Sequence, residues 1–248
     1  MSKPGDVWVS PCGQMELRCG DFREVLAGVE CGAVITDPPY GERTHADGAS
    51  LSASASASAP VPIGYRPMTP QGVAESAALW SGWCSGWLCV FSCDTLHPVW
   101  RAEMEAAGRY AFPAVPVRQF VPRLVGDGPS RFGPYLTVSR PRMAEFMKWG
   151  TLPDWYSSAT TRGYVRGGKP LPLMQAIVSD YSRPGDLVCD PCAGGGTTLL
   201  AAAIEGRRAI GAELDPETFD KAVARLSRGY TPRMVLPARK KQKQGSML

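Results

Sequence analysis

Two short segments of this 248-residue chain hold residue types whose spacing could do chemistry. The first is Asp37-Pro38-Pro39-Tyr40-Gly41, directly after the apolar run Ala33-Val34-Ile35-Thr36. It offers a carboxylate, a backbone carbonyl followed by a residue with no N–H, and an aromatic ring. The exocyclic amino group of a nucleobase is a poor nucleophile, because its lone pair is delocalised into the ring. Hydrogen bonds from that group to Asp37 and to the Pro38 carbonyl would draw the nitrogen toward tetrahedral geometry. They would also stabilise the positive charge that builds as it attacks a sulfonium methyl. Tyr40 could stack on a base that has left the duplex. An ordinary turn explains Asp-Pro-Pro equally well, and the segment alone does not choose.

The second segment is Asp190-Pro191-Cys192-Ala193-Gly194-Gly195-Gly196-Thr197-Thr198, between an apolar run and a helical pattern. Three glycines let a backbone turn tightly and approach a ligand, leaving helix N–H groups free to bind it. Eighteen residues after Gly195 comes Glu213, where a carboxylate could accept both ribose hydroxyls of a nucleoside. A glycine run alone is weak, and a flexible turn is the plain alternative. A strand before it, a helix after it and an acid at that distance together favour an adenosine-containing cofactor. The turn carries no lysine, which argues against a nucleoside-triphosphate loop. A nicotinamide dehydrogenase would place such a turn near the start of the chain, whereas here it comes late.

These segments need a sheet to position them. The pattern predicts strands at 33–36, 87–91, 135–138, 187–190 and 208–213. It predicts helices at 73–83, 97–107 (closed by Gly108), 173–181, 197–205 and from Pro216 to Leu226. Leu173, Met174, Ile177, Val178 and Tyr181 share one helical face, and Phe219, Ala222, Val223 and Leu226 share another. Strand–helix–strand–helix at this spacing argues for an α/β domain with a mostly parallel central sheet flanked by helices. Residues 41–70 are rich in Ser, Ala, Gly and Pro and read as a flexible loop; 231–248 read as a basic, disordered tail.

Composition narrows the classes further. Hydrophobic residues make up 44% and charged residues 20%, as in a globular domain with a real core. No apolar run is long enough to cross a bilayer, and the first residues lack a signal pattern, so a cytoplasmic protein away from membranes is expected. Cys84, Cys89, Cys93, Cys189 and Cys192 have no zinc-site spacing, and the chain holds only two histidines. No metal is expected, and the eight cysteines read as reduced, small buried hydrophobes. Net charge is +4, but residues 113–169 hold nine Lys/Arg against three acids, and residues 230–248 hold five bases and no acid. Such clustering fits a face for a polyanion, or equally a solvated surface with a basic tail.

Asp37-Pro38-Pro39-Tyr40 and the segment Asp190–Thr198 resemble the catalytic and cofactor motifs of the amino-group DNA methyltransferases. The catalytic motif comes first and the cofactor motif last, the order of that family's β group, a circular permutation of the class I methyltransferase. The resemblance runs from Leu17 to about Leu226. It implies a Rossmann-like fold, S-adenosylmethionine as methyl donor with S-adenosylhomocysteine as product, and double-stranded DNA as partner, with a homodimer in view. It implies catalytic roles for Asp37, Pro38, Pro39 and Tyr40. Cofactor contacts are implied for Asp21, Asp37, Lys169, Pro170, Asp190, Cys192, Ala193, Gly194, Gly195, Gly196, Thr197 and Glu213. Asp21 would approach the adenine, Lys169-Pro170 would cover the cofactor, Glu213 would bind the ribose, and Asp190 with Gly194–Thr197 would cradle the methionine part.

Cys192 stands where the family usually has phenylalanine and Gly195 where it has serine, and both changes are expected to loosen the pocket wall. Residues 1–140 then form the catalytic half, 141–168 a short target-recognition segment, and 169–230 the cofactor half of the same domain. A short reader implies a brief or relaxed target sequence. Aspartate at the first motif position leans, within the family, toward N6 of adenine, with base flipping. The alternatives are N4 of cytosine, an RNA base, or a non-catalytic nucleic-acid-binding subunit of the same fold.

Overall fold

The computed structural model describes residues 2–42, 66–118, 134–143, 149–158, 164–165 and 167–233. Ten strands within these residues form one sheet: β1 (Val7–Val9), β2 (Met15–Cys19), β3 (Cys31–Thr36), β4 (Cys84–Ser92), β5 (Tyr110–Ala111), β6 (Val115–Arg118), β7 (Tyr135–Arg140), β8 (Tyr156–Ser157), β9 (Leu187–Asp190) and β10 (Arg208–Glu213). The order is β1-β2-β10-β9-β3-β4-β7-β6-β8, with β5 paired to β7. The middle five, β2-β10-β9-β3-β4, are parallel, while β1 and β7 pair antiparallel with their inner neighbours. The expectation of a mostly parallel centre holds there, and the margins make the sheet mixed.

Helices cover both faces. α2 (Pro70–Trp83) and α3 (His97–Ala106) pack over Val34, Leu88, Val90, Cys189 and Ile210. α4 (Leu171–Tyr181), α5 (Thr197–Ile204) and α6 (Pro216–Leu226) pack over Ala33, Ile35, Cys89, Phe91 and Val188. β3, β4 and β9 are buried on both faces, which explains why they read as unbroken apolar runs. The five α4 residues expected on one face are the five it buries. On α6, Phe219, Ala222 and Leu226 are buried and Val223 packs at the margin. Thr69 and Asp215 cap α2 and α6 by accepting the Gly72 and Thr218 amide hydrogens.

Three expectations need correction. The last segment is not free from 231: the Arg233 amide donates to the Ile204 carbonyl, and its guanidinium pairs with the buried carboxylate of Glu205. A buried carboxylate needs such a partner. Residues 234–248 lie outside the described residues, as do 43–65 of the Ser/Ala-rich stretch. The part of that stretch that is described returns early, with the Met68 amide on the Tyr40 carbonyl. Six cysteines are buried as expected, but Cys192 is half-buried and Cys12 is exposed. The Cys12 thiol is drawn down to about 7 by hydrogen bonds with the Ser10 and Tyr230 hydroxyls.

A short α1 (Phe22–Val25) and strands β1, β5, β6 and β8 were not expected from sequence; each is four residues or fewer, too short to show a period.

Candidate active site

The cleft follows from topology. β9 and β3 are parallel neighbours, yet β9 connects through α5 to β10 on one side, and β3 connects to β4 on the other. Chains leaving two adjacent strands in opposite directions open a crevice at their carboxyl ends. Val34 is in register with Cys189, so Asp37 and Cys192, each three residues further on, leave the sheet side by side. The Asp37 charge is close enough to act on both Asp190 and Cys192. The two segments singled out in the sequence therefore flank one cleft.

On the β3 side, the Tyr40 hydroxyl donates to Asp37 Oδ1 at 2.9 Å. Lys169 Nζ donates to Asp37 Oδ2, with the lysine side chain 6% exposed and the aspartate 25%. The ammonium lies 5.3 Å from the centre of the Tyr40 ring and 4.8 Å from that of Phe91. Pro38 is buried, and Pro170 precedes the first turn of α4, setting the lysine at the cleft. Proline after proline at the strand end forbids further pairing and frees this backbone for the cleft.

On the β9 side the turn is held largely by backbone. The Ala193 amide reaches the Ala212 carbonyl, the Gly196 amide the Ala193 carbonyl, and the Gly194 amide donates to Glu213 Oε2 at 2.8 Å. Gly194 and Gly196 sit at φ +52° and +71°, the left-handed region that glycine enters freely. Gly196 also lies against Leu226, 3.0 Å from where a Cβ would stand. Glu213 accepts the Asp215 amide on its other oxygen, and burial raises its pKa above the usual carboxylate range. Asp190 is buried and accepts the Cys192 amide. Burial pushes its pKa up to about 6 against the lowering effect of the Thr198 and Thr36 hydroxyls.

The wall at Gly195 is not loosened as expected. Val165 Cγ1 stands 3.0 Å from the position of a Cβ on Gly195, so a neighbouring valine fills the space of the missing side chain. Two further residues escaped the sequence reading. Arg225 donates to the Gly195 carbonyl and the Thr197 hydroxyl, and its guanidinium lies 4.9 Å from the Tyr164 ring centre. Gly211 lets β10 pass under the turn: a Cβ there would meet Leu199, Ala193 and the Asp190 carbonyl at 2.9 to 3.0 Å. The contacts of Arg225 are 28 and 30 residues away in sequence, and no local pattern signals them.

Asp21 is brought to the neighbourhood but turned aside. The Gly20 amide reaches the Glu213 carbonyl, while the Asp21 carboxylate caps α1 and pairs with Arg23. The basic segment is also divided. Arg118, with its guanidinium 5.8 Å from the exposed Trp155 ring, lies toward the cleft end of the sheet. Arg140 pairs with Tyr110 beyond Leu88↔Ser139, toward the opposite end of β4, and Arg142 stacks beside it. Antiparallel β7 carries its last residues away from the cleft, so these two arginines do not extend a single face. Arg123, Arg131, Lys148, Arg162 and Arg166 lie outside the described residues.

Residues 119–224 match the N6_N4_Mtase family, described as DNA methylase. The match covers less than half of the chain, and over that stretch the chain is similar to a DNA methylase. Over 82 residues it is 36% identical to the DNA adenine methyltransferase YhdJ of Escherichia coli strain K12, covering 33% of this chain and 26% of YhdJ. The matched stretches span about a quarter or less of the curated relatives' lengths. Among solved structures, the M1.HpyAVI–SAM complex superposes with a TM-score of 0.63 at 20% identity, covering 86% of this chain and 99% of that one. The cytosine-N4-specific PvuII DNA methyltransferase superposes at 0.57 and 15% identity, covering 88% of this chain and 87% of that one. The chain therefore has the α/β fold of these DNA methyltransferases, with its Asp-Pro-Pro-Tyr segment and its glycine turn at one cleft.

Proposed function

We propose that this chain transfers a methyl group from S-adenosylmethionine to the exocyclic amino group of a flipped base in DNA, N6 of adenine. The observation that carries this reading is the meeting of Asp37 and the β9 turn at one switch-point cleft. The residues present suit a nucleoside with a cationic amino-acid tail. Glu213 offers a carboxylate to a ribose diol, Asp190 supplies negative charge beneath the turn, and the helix that begins at Thr197 directs its N-terminal end at the cleft behind a glycine turn. When bound, such a donor supplies an electrophilic methyl on sulfonium sulfur.

The chain's own residues do the rest. Asp37 and the Pro38 carbonyl accept hydrogen bonds from the target amino group, which localises its lone pair and opposes the charge that develops on nitrogen. Tyr40 orients Asp37 through its hydroxyl and presents its ring to the cleft. Residues 1–140 supply this half, 169–230 the donor half, and 141–168 the contacts that select the target. Aspartate at the first motif position and the YhdJ match support adenine, while the PvuII enzyme has the same fold. The fold is thus compatible with either base.

The test is transfer from tritiated S-adenosylmethionine to duplex DNA, single-stranded DNA and structured RNA, followed by hydrolysis and separation of the nucleosides. Label in N6-methyladenine of duplex DNA is expected. Label in N4-methylcytosine overturns the adenine assignment, preferred labelling of RNA overturns the DNA assignment, and absence of label overturns catalysis.

A further inference from the structure

The contact between Lys169 and Asp37 goes beyond holding a donor. Both oxygens of the carboxylate are already taken, Oδ1 by the Tyr40 hydroxyl and Oδ2 by the Lys169 ammonium. The ammonium also lies near two aromatic rings, at the distances where ring faces attract a cation. A nucleobase amino group under methylation needs the same surroundings: an acceptor for its N–H, an aromatic neighbour, and negative charge to meet the positive charge it acquires. We propose that Lys169 is a placeholder for the substrate's amino group, occupying its seat on Asp37 until a base displaces it.

The proposal rests on the reading above and has a physical reason of its own. A carboxylate three-quarters shielded from water and next to Asp190 is unfavourable if left unpaired. Lys169 keeps it paired and aimed before substrate arrives. The ammonium cannot stay on Oδ2 while a second nitrogen there becomes cationic, so base entry is an exchange of one N–H donor for another. Apparent affinity for the base falls by the fraction of molecules whose seat is taken. A base with neither an amino group nor a ring N–H on that edge has no donor to trade, leaving the lysine in place. Lys169 is in this sense a positioning residue that biases the cleft toward bases with such a donor.

Lys169→Gln and Lys169→Met separate the possibilities, with Lys169→Arg as the charge-keeping control and thermal melts to confirm folding. With genomic DNA and tritiated S-adenosylmethionine, the two neutral variants are expected to lower KM for DNA by about tenfold, the scale of one charge-assisted hydrogen bond. Lys169→Arg should keep the wild-type KM. A tenfold loss of turnover at unchanged KM overturns the proposal, because the lysine would then act on Asp37 during the reaction. Weaker S-adenosylmethionine binding overturns it too, because the lysine would then be a donor ligand.

A readout without turnover is calorimetric binding of adenosine and of purine riboside, which has no N–H on that edge, with S-adenosylhomocysteine saturating. Adenosine alone should bind more tightly to Lys169→Gln than to wild type. Equal gains for both nucleosides, or none, overturn the placeholder whether or not the wild type methylates DNA. An inactive wild type in the first assay overturns only the underlying function.

Discussion

The two strand ends that face each other across the cleft are held by different means. At β9 the turn is tied by backbone: amide-to-carbonyl bonds at Ala193 and Gly196, an amide on Glu213, and glycines in left-handed conformations that side chains rarely adopt. At β3 the geometry of Asp37 depends on two side chains, Tyr40 and Lys169, the latter 132 residues away. A backbone-built site is preorganised and changes little when a ligand arrives. A site built from side-chain charges can trade partners. The difference suits the two tasks, retention of a methyl donor and admission of a base that must be exchanged at every turnover.

The largest effect should come from the side-chain end. Asp37→Asn is expected to lower the turnover number by about 10² to 10³, the scale for losing one preorganised transition-state contact. Its affinity for S-adenosylmethionine should stay within about threefold. Titration calorimetry beside a transfer assay checks this, and a comparable loss of donor affinity would show that the two ends are not independent.

An intermediate effect lies beneath the turn. Asp190 takes its charge only as pH rises through about 6, so affinity for the cationic donor should tighten between pH 5 and 7, and Asp190→Asn should flatten that rise. Stability has the opposite sign. A carboxyl whose pKa is raised on folding holds its proton more tightly when native, so its contribution declines as pH climbs from about 4 through about 6. Asp190→Asn should therefore gain on wild type over that interval by about 2 kcal/mol, measured as the pH dependence of the difference in urea unfolding free energy. A constant difference at all pH values would remove the buried charge from the account.

The smallest effect tests the backbone-built wall. Gly195→Ser should crowd Val165 and lower the melting temperature by about 2–4 °C, corresponding to about 1 kcal/mol. Adding Val165→Ala should restore it. A serine tolerated without the second change would mean that the wall has room to spare.

Much of this was legible in the chain. The runs at 33–36, 187–190 and 208–213 announced buried strands because both faces of the middle strands are covered. The α4 face was readable because its 3.6-residue period is unbroken from Leu173 to Tyr181. The Asp-Pro-Pro-Tyr and glycine segments stood out because their constraints, a strand stop and a tight turn, are local. Strand β8, two residues long and paired with β6 from 39 positions away, had no local signal. The free-tail expectation failed at Arg233 because Glu205, the carboxylate it meets, is buried by folding alone.

The sequence by itself determined which residues could do the chemistry and which strands would carry them, because residue type and short-range period are properties of the chain. Only the tertiary structure decided that Lys169 pairs with Asp37, that Val165 stands against Gly195, that Arg225 braces the turn, and that Arg140 points away from the cleft. Those outcomes depend on strand order and register, which bring together residues far apart in sequence by burying a common core and by pairing charges that burial would otherwise strand.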